Sequence, residues 1–268
     1  MTMQASFIDI DWAGREVCIE YLWIAPQRSG PLMIFLHEGL GSVSAWRDFP
    51  QRLCDQLGCR GLVYSRPGYG RSTPRAAAES WGMDFMHQQA HEVLPNLLQA
   101  LGIVSRVEPL WLFGHSDGAS IALLHTAKFP HCVRGLILLA PHIMVEPISI
   151  RGIEAARQAY VQGNLRLALA RHHEDTDSAF WGWNDAWLSP AFRAWSIEDE
   201  MARIQCPVLA VQGINDEYGT LEQIRGIARQ AKQTELLELV RCGHSPQRDQ
   251  PEALIERVRV FVSSDLAA

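Results

Sequence analysis

The chain has 268 residues, 24 of them Lys or Arg and 30 Asp or Glu, for a formal net charge of −6. With 47 % hydrophobic and 20 % charged residues, it holds enough apolar surface to offset the entropy of ordering, which excludes a disordered chain. The arginines are scattered and Lys128 and Lys232 are the only lysines, so nucleic acid is not an expected partner.

In chain order, two runs at 7–12 and 17–25 flank Ala13-Gly14 and predict an antiparallel hairpin. Leu32–Leu36 is continuously apolar, as a strand buried on both faces requires. Similar runs follow at 61–65, 110–113, 136–140, 208–211 and 236–240, with helical patterns at 46–57, 83–101, 118–129, 221–231 and 251–262 between or after them. This alternation predicts a mostly parallel sheet flanked by helices. Five of the six runs end in loops rich in Gly, His, Ser or Asp, at the carboxyl edge where ligands bind in open α/β sheets.

The alternation stops between about 143 and 204. There the spacing of Ile153, Ala156, Tyr160 and Val161 is helical, and Trp181, Trp183, Trp187 and Trp195 crowd together. We expect a helical cap over the sheet edge at 143–204, inserted between two parts of one core domain, 1–142 and 205–268.

No segment suits a membrane. The strongest apolar run, 136–140, is far short of the roughly 20 residues a spanning helix needs. Residues 1–9 lack a basic stretch followed by an apolar one, so no signal peptide is expected. Cys18, Cys54, Cys59, Cys132, Cys206 and Cys242 show neither CxxC spacing nor the density of a disulfide scaffold. Inert thiols in a cytoplasmic protein are the expectation.

The chemistry concentrates in four loops. Gly114-His115-Ser116-Asp117-Gly118 is G-x-S-x-G between a strand and a helix, a sharp turn that exposes the serine hydroxyl beside a helix N-terminus. That hydroxyl needs a base, and the base needs an acid to orient it. His244 follows the last strand in Cys242-Gly243-His244, and Asp216 follows the strand before it in Gly213-Ile214-Asn215-Asp216, with Glu217 its neighbouring rival. An oxyanion hole would take the N–H of Asp117 and one from His37-Glu38-Gly39-Leu40, where Gly39 is the candidate and Leu40 the alternative.

With Ser65-Arg66-Pro67-Gly68-Tyr69-Gly70-Arg71-Ser72, these motifs stand in an order that resembles the α/β-hydrolase family. The likeness is to its cap-bearing esterases, lactonases and carbon–carbon hydrolases. It implies an α/β-hydrolase fold with a helical cap, a triad of Ser116, Asp216 and His244, and a small-molecule ester or lactone substrate. Serine rather than aspartate at the elbow argues against the haloalkane dehalogenase and epoxide hydrolase members. The alternatives are cleavage of a carbon–carbon bond in a vinylogous diketone, or a non-catalytic receptor on the same scaffold.

Two residues depart from the family's pattern: Glu38 stands where glycine is usual, and Asp117 follows the serine. Asp117 is similar to the aspartate by which valacyclovir-hydrolase-like members recognise an amino group. Glu38 and Asp117 could therefore form an acidic pocket, or face the protein instead. Glu38, Leu40, His142, Trp181 and Trp183 are the expected pocket residues. His172-His173-Glu174-Asp175-Thr176-Asp177 is expected to be a solvated turn of the cap rather than a metal site. No cofactor and no metal are implied, and the number of subunits leaves no readable signal.

Overall fold

The computed structural model describes residues 4–76 and 78–266. Met1–Met3 of the N-terminal stretch therefore lie outside the described residues. β1 (Ser6–Trp12) and β2 (Arg15–Ile24) form the expected hairpin, with Ala13 and Gly14 at positive φ in its turn. β3 (Leu32–Leu36) follows, then α1 (Phe49–Leu57) and β4 (Arg60–Tyr64). Next come α2 (Phe85–Gln88) and α3 (Leu94–Ala100), β5 (Leu110–His115), α4 (Asp117–Lys128) and β6 (Val133–Leu139). α5 (Pro147–Gln162), α6 (Leu165–Leu169) and α7 (Thr176–Leu188) lead to β7 (Val208–Gly213) and α8 (Glu222–Gln230). β8 (Thr234–Leu239), α9 (Pro246–Asp249) and α10 (Pro251–Leu266) close the fold.

The eight strands form one sheet in the order β1-β2-β4-β3-β5-β6-β7-β8, antiparallel only where β2 meets β1 and β4. Alternating side chains of the parallel strands go to opposite faces. Ile34, Leu36, Leu112 and Leu138 pack under α4, while Phe35, Phe113, Ile137 and Val211 pack against α1 and α10. Both faces are thus covered, which explains why these strands read as unbroken apolar runs.

Two helical expectations are corrected. The pattern at 83–101 is not one regular helix: α2 and α3 are joined by a wider π turn, Gln89–Val93. Pro95 supplies the reason, because it lacks the N–H that would bond back one turn. The pattern at 46–57 is broken too, into a 3-10 turn (Ser44–Trp46) and α1, with Arg47 at φ 55° between them.

Candidate active site

β5 ends in the turn that carries Ser116. The residue lies at φ 53°, ψ −121°, a backbone region that costs side-chain-bearing residues energy. The strain is held in place by neighbours on both sides. A Cβ at Gly114 would run into the backbone of Ala119 and Gly118, and one at Gly118 into the Leu36 carbonyl. Only glycine fits either place, and this is the physical content of the G-x-S-x-G pattern.

Ser116 Oγ lies 2.9 Å from His244 Nε2. On the other side of the ring, His244 Nδ1 is 2.8 and 2.9 Å from the two oxygens of Asp216. Asp216 also accepts from the N–H groups of Tyr218 (2.8 Å) and Gly219 (3.3 Å), and from Gln212 Nε2 (3.1 Å). Burial pushes the Asp216 carboxyl up, but the bond from His244, the charge of that ring and the Tyr218 N–H outweigh it and hold it below the usual range. For His244, burial lowers the basicity, and the Asp216 carboxylate more than restores it, so the ring titrates above its ordinary value. Glu217 makes a different contact, accepting from the His244 backbone N–H at 3.3 Å.

These groups sit in a cavity of about 230 Å³ lined by Gly39, Leu40, Ser116, Asp117 and His244 on the sheet side and by Ile153, Trp183 and Trp187 on the helical side. Among the described residues, the N–H groups of Gly39, Leu40 and Asp117 donate to no protein acceptor. Gly39 is pressed so close to the Trp183 indole that a Cβ there would overlap it.

The remaining expected pocket residues divide. Glu38, Leu40, His142 and Trp183 line the cavity. Trp181 does not, and that expectation is corrected. It sits about 200° around α7 from Trp183, where it packs on Tyr160 and Phe180 beneath the Arg157 guanidinium. Trp187, four residues after Trp183, shares the cavity face instead.

Glu38 reaches Arg248 Nη2 at 3.4 Å and His115 Nδ1 at 3.5 Å. Burial opposes its ionisation, but the hydrogen bond from His115 and the positive groups around it hold the carboxyl well below its ordinary value. Asp117 is buried and accepts from Trp187 Nε1 at 3.2 Å, and its Oδ2 has no partner among the described residues. Burial pushes this carboxyl up to about 6 against the pull of Arg66 and Trp187. Burial, with the charge of His244, brings His142 down to about 3, leaving a neutral ring 5.8 Å from that of His244.

The solvated turn expected at 172–177 is corrected in part: Glu174 and Asp175 are exposed, but Thr176 and Asp177 open α7 and His173 is not solvated. His173 is buried, its Nδ1 accepting from the Gly70 N–H at 2.9 Å and its Nε2 donating to the Leu40 carbonyl at 3.0 Å. It is an internal tie between the helical segment and the β3 loop, whereas its neighbour His172 bonds Ser44 Oγ.

Tyr218, Arg248, His115 and Ile153 also line the cavity, and the sequence reading assigned none of them a place there. Tyr218 and Arg248 had a usable signal, since each lies within four residues of a triad candidate. His115 was inside the elbow motif itself. Ile153 carried only helical periodicity.

Residues 33–257 match the α/β-hydrolase family. The chain is 26 % identical over 200 residues to 2-succinyl-6-hydroxy-2,4-cyclohexadiene-1-carboxylate synthase of Enterobacter sp. (strain 638), covering 75 % of this chain and 67 % of that one. It is 24 % identical over 260 residues to esterase Rv0045c of Mycobacterium tuberculosis (strain ATCC 25618 / H37Rv), covering 86 % and 82 %. Its fold is similar to that of the enol-lactonase from Burkholderia xenovorans LB400, with TM-score 0.72, 18 % identity, and 92 % and 97 % of the two chains covered. The thermophilic esterase from Thermogutta terrifontis is similar in fold as well, with TM-score 0.71, 19 % identity, and 98 % and 99 % covered. No helix among the described residues is long and apolar enough to cross a membrane. With the strand order, the flanking helices and the match over 33–257 in agreement, the chain belongs to the α/β-hydrolase family.

Proposed function

We propose that the protein is a serine hydrolase that cleaves a small carboxylic ester or lactone through an acyl-enzyme. The observation that carries this reading is the unbroken relay from Ser116 Oγ through His244 to Asp216 at the wall of a cavity. Ser116 attacks the carbonyl carbon while His244 Nε2 takes the hydroxyl proton. The N–H groups of Asp117 and Gly39 receive the charge that develops on the carbonyl oxygen. His244 then returns the proton to the leaving oxygen. Water, deprotonated by the same ring, releases the acid and restores Ser116.

Residues 143–204 act in this reading as a helical cap between the two parts of the core, 1–142 and 205–268. Ile153, Trp183 and Trp187 give the cavity an apolar wall, which suits a compact acyl group and excludes bulk water. The enol-lactonase and the esterases among its relatives agree with ester or lactone chemistry.

The test is a panel of short and medium acyl esters, lactones and one vinylogous 1,5-diketone, with products identified by mass spectrometry. Steady turnover of an ester to acid and alcohol, or of a lactone to its hydroxy acid, is expected. Turnover of the diketone alone, with a carbon–carbon bond broken, would replace the ester reading.

A further inference from the structure

Arg66 presents a physical puzzle. It is fully buried, yet among the described residues no carboxylate lies within ion-pair distance, and its Nη1 has no hydrogen-bond partner. A buried guanidinium without a counter-ion is costly unless its charge is used. Its other contacts all lead to one place. The backbone N–H of Arg66 donates to His37 Nε2 at 3.1 Å, which fixes the imidazole proton on Nδ1. His37 Nδ1 donates in turn to the Glu38 carbonyl at 2.7 Å. Arg66 Nη2 donates to the same carbonyl at 2.9 Å, and the Gly41 N–H at 3.0 Å. Three donors thus converge on one peptide oxygen, while the Tyr69 ring packs 4.6 Å from the guanidinium carbon and holds it in place.

The peptide so clamped joins Glu38 to Gly39. In a trans peptide the N–H points away from the carbonyl, so the Gly39 N–H faces away from Arg66, on a residue that lines the cavity. We infer that Arg66, with His37, is a positioning residue for the oxyanion hole: it clamps the Glu38 carbonyl so that the Gly39 N–H is held toward the substrate oxygen. The guanidinium polarises that peptide, making the N–H a stronger donor, and places a permanent positive charge behind the developing oxyanion. Burial and the neighbouring guanidinium both keep the His37 ring neutral, so its single Nδ1 proton stays committed to the clamp.

This inference rests on the serine-hydrolase reading, and its test separates the two. Arg66→Met, Arg66→Lys and His37→Asn are compared with the parent protein. The readouts are the rate at which a fluorophosphonate labels Ser116, the affinity for a trifluoromethyl ketone that forms an oxyanion on Ser116, and the affinity for the matching carboxamide, which does not.

For Arg66→Met, the labelling rate and the ketone affinity are expected to fall together by roughly 10- to 100-fold, less than the cost of losing an oxyanion donor outright because His37 and Gly41 still hold the carbonyl. Carboxamide affinity stays within about threefold. Arg66→Lys keeps the charge and loses the geometry, and gives a smaller fall of the same pattern, as does His37→Asn. If Arg66→Met fails to fold, the other two variants carry the comparison. Equal losses for ketone and carboxamide would reduce Arg66 to a structural role. Unchanged labelling and ketone binding in folded variants would overturn the inference while leaving the triad intact. A parent protein that is not labelled at Ser116 would defeat the underlying reading instead.

Discussion

The cavity has two walls built on different principles. On the sheet side, the reacting groups are held by directed bonds and backbone geometry: Asp216 by two backbone amides, the Glu38 carbonyl by the Gly41 N–H and the side chains of His37 and Arg66, Ser116 by a strained turn between obligatory glycines. On the helical side, Ile153, Trp183 and Trp187 are held by aromatic packing, such as Trp187 on Phe192 at 4.8 Å. A few polar ties, His173 to Leu40 and Trp187 to Asp117, join the walls. The contrast suggests a division of labour in which the rigid polar edge carries the reaction and the packed aromatic segment sets what fits. Sub-ångström placement matters on the first wall, and volume on the second.

The largest effect that would sharpen this division comes from His244→Ala, which should cut kcat/KM on the best substrate by ~10⁴-fold with little change in KM. A fall confined to KM would mean that His244 belongs with the shape-setting wall. Its pH signature follows from the same geometry. The ring must be neutral to accept the serine proton, and Asp216 raises its basicity, so activity should rise with pH through a midpoint above 6.5, the ordinary histidine value. Asp216→Asn should move that midpoint down. A midpoint unmoved by this change would contradict the pairing.

The two walls meet at Gly39 and Trp183. Gly39→Ala should lower activity because the new Cβ overlaps the indole, and Trp183→Ala in the same chain should recover part of the loss. Additive losses in kinetic measurements would show that the walls act independently. Trp183→Ala alone is expected to cost roughly 10- to 100-fold in kcat/KM, mostly through KM. Trp181→Ala, on the far side of α7, should stay within about threefold.

A smaller effect concerns Asp117. Its folded-state pKa, pushed up to about 6 by burial, lies above that of an unfolded aspartate near 3.9. The folded chain therefore binds the proton more tightly, and ionisation weakens the fold as pH rises from about 4 to 6. Asp117→Asn removes this penalty. Thermal melts should show the variant gaining on the parent protein over that pH interval, by about 3 kcal/mol at most, and holding the gain at higher pH. A pH-independent difference would mean that Asp117 is not desolvated as described.

The legibility of the molecule follows the same division. The parallel strands and the loops bearing Ser116, Asp216 and His244 were readable because each imposes a local demand: continuous apolar runs, glycines where no Cβ fits, a fixed chain order. The helical segment imposes no such demand. Its helical character is visible, but which tryptophan faces the cavity depends on how α7 is rotated, and so sequence alone does not separate Trp181 from Trp183, although the two lie on opposite sides of the helix. The burial of His173 is illegible in the sequence for a related reason. Its partners, Gly70 and Leu40, are more than 100 residues away in sequence, and no short motif encodes that meeting. The clamp on the Glu38 carbonyl lay inside recognised motifs, His37-Glu38-Gly39 and Ser65-Arg66-Pro67, yet their contact appears only once β3 and β4 are paired.

The central claim is that Ser116 is the nucleophile, and the most direct measurement is intact-mass analysis after treatment with a fluorophosphonate, alongside turnover of the best substrate, for the parent protein and Ser116→Ala. The account predicts a single adduct on the parent protein, none on the variant, and a loss of turnover of ~10⁴-fold or more in the variant. A folded Ser116→Ala protein that still turns over substrate at the parent rate would contradict it.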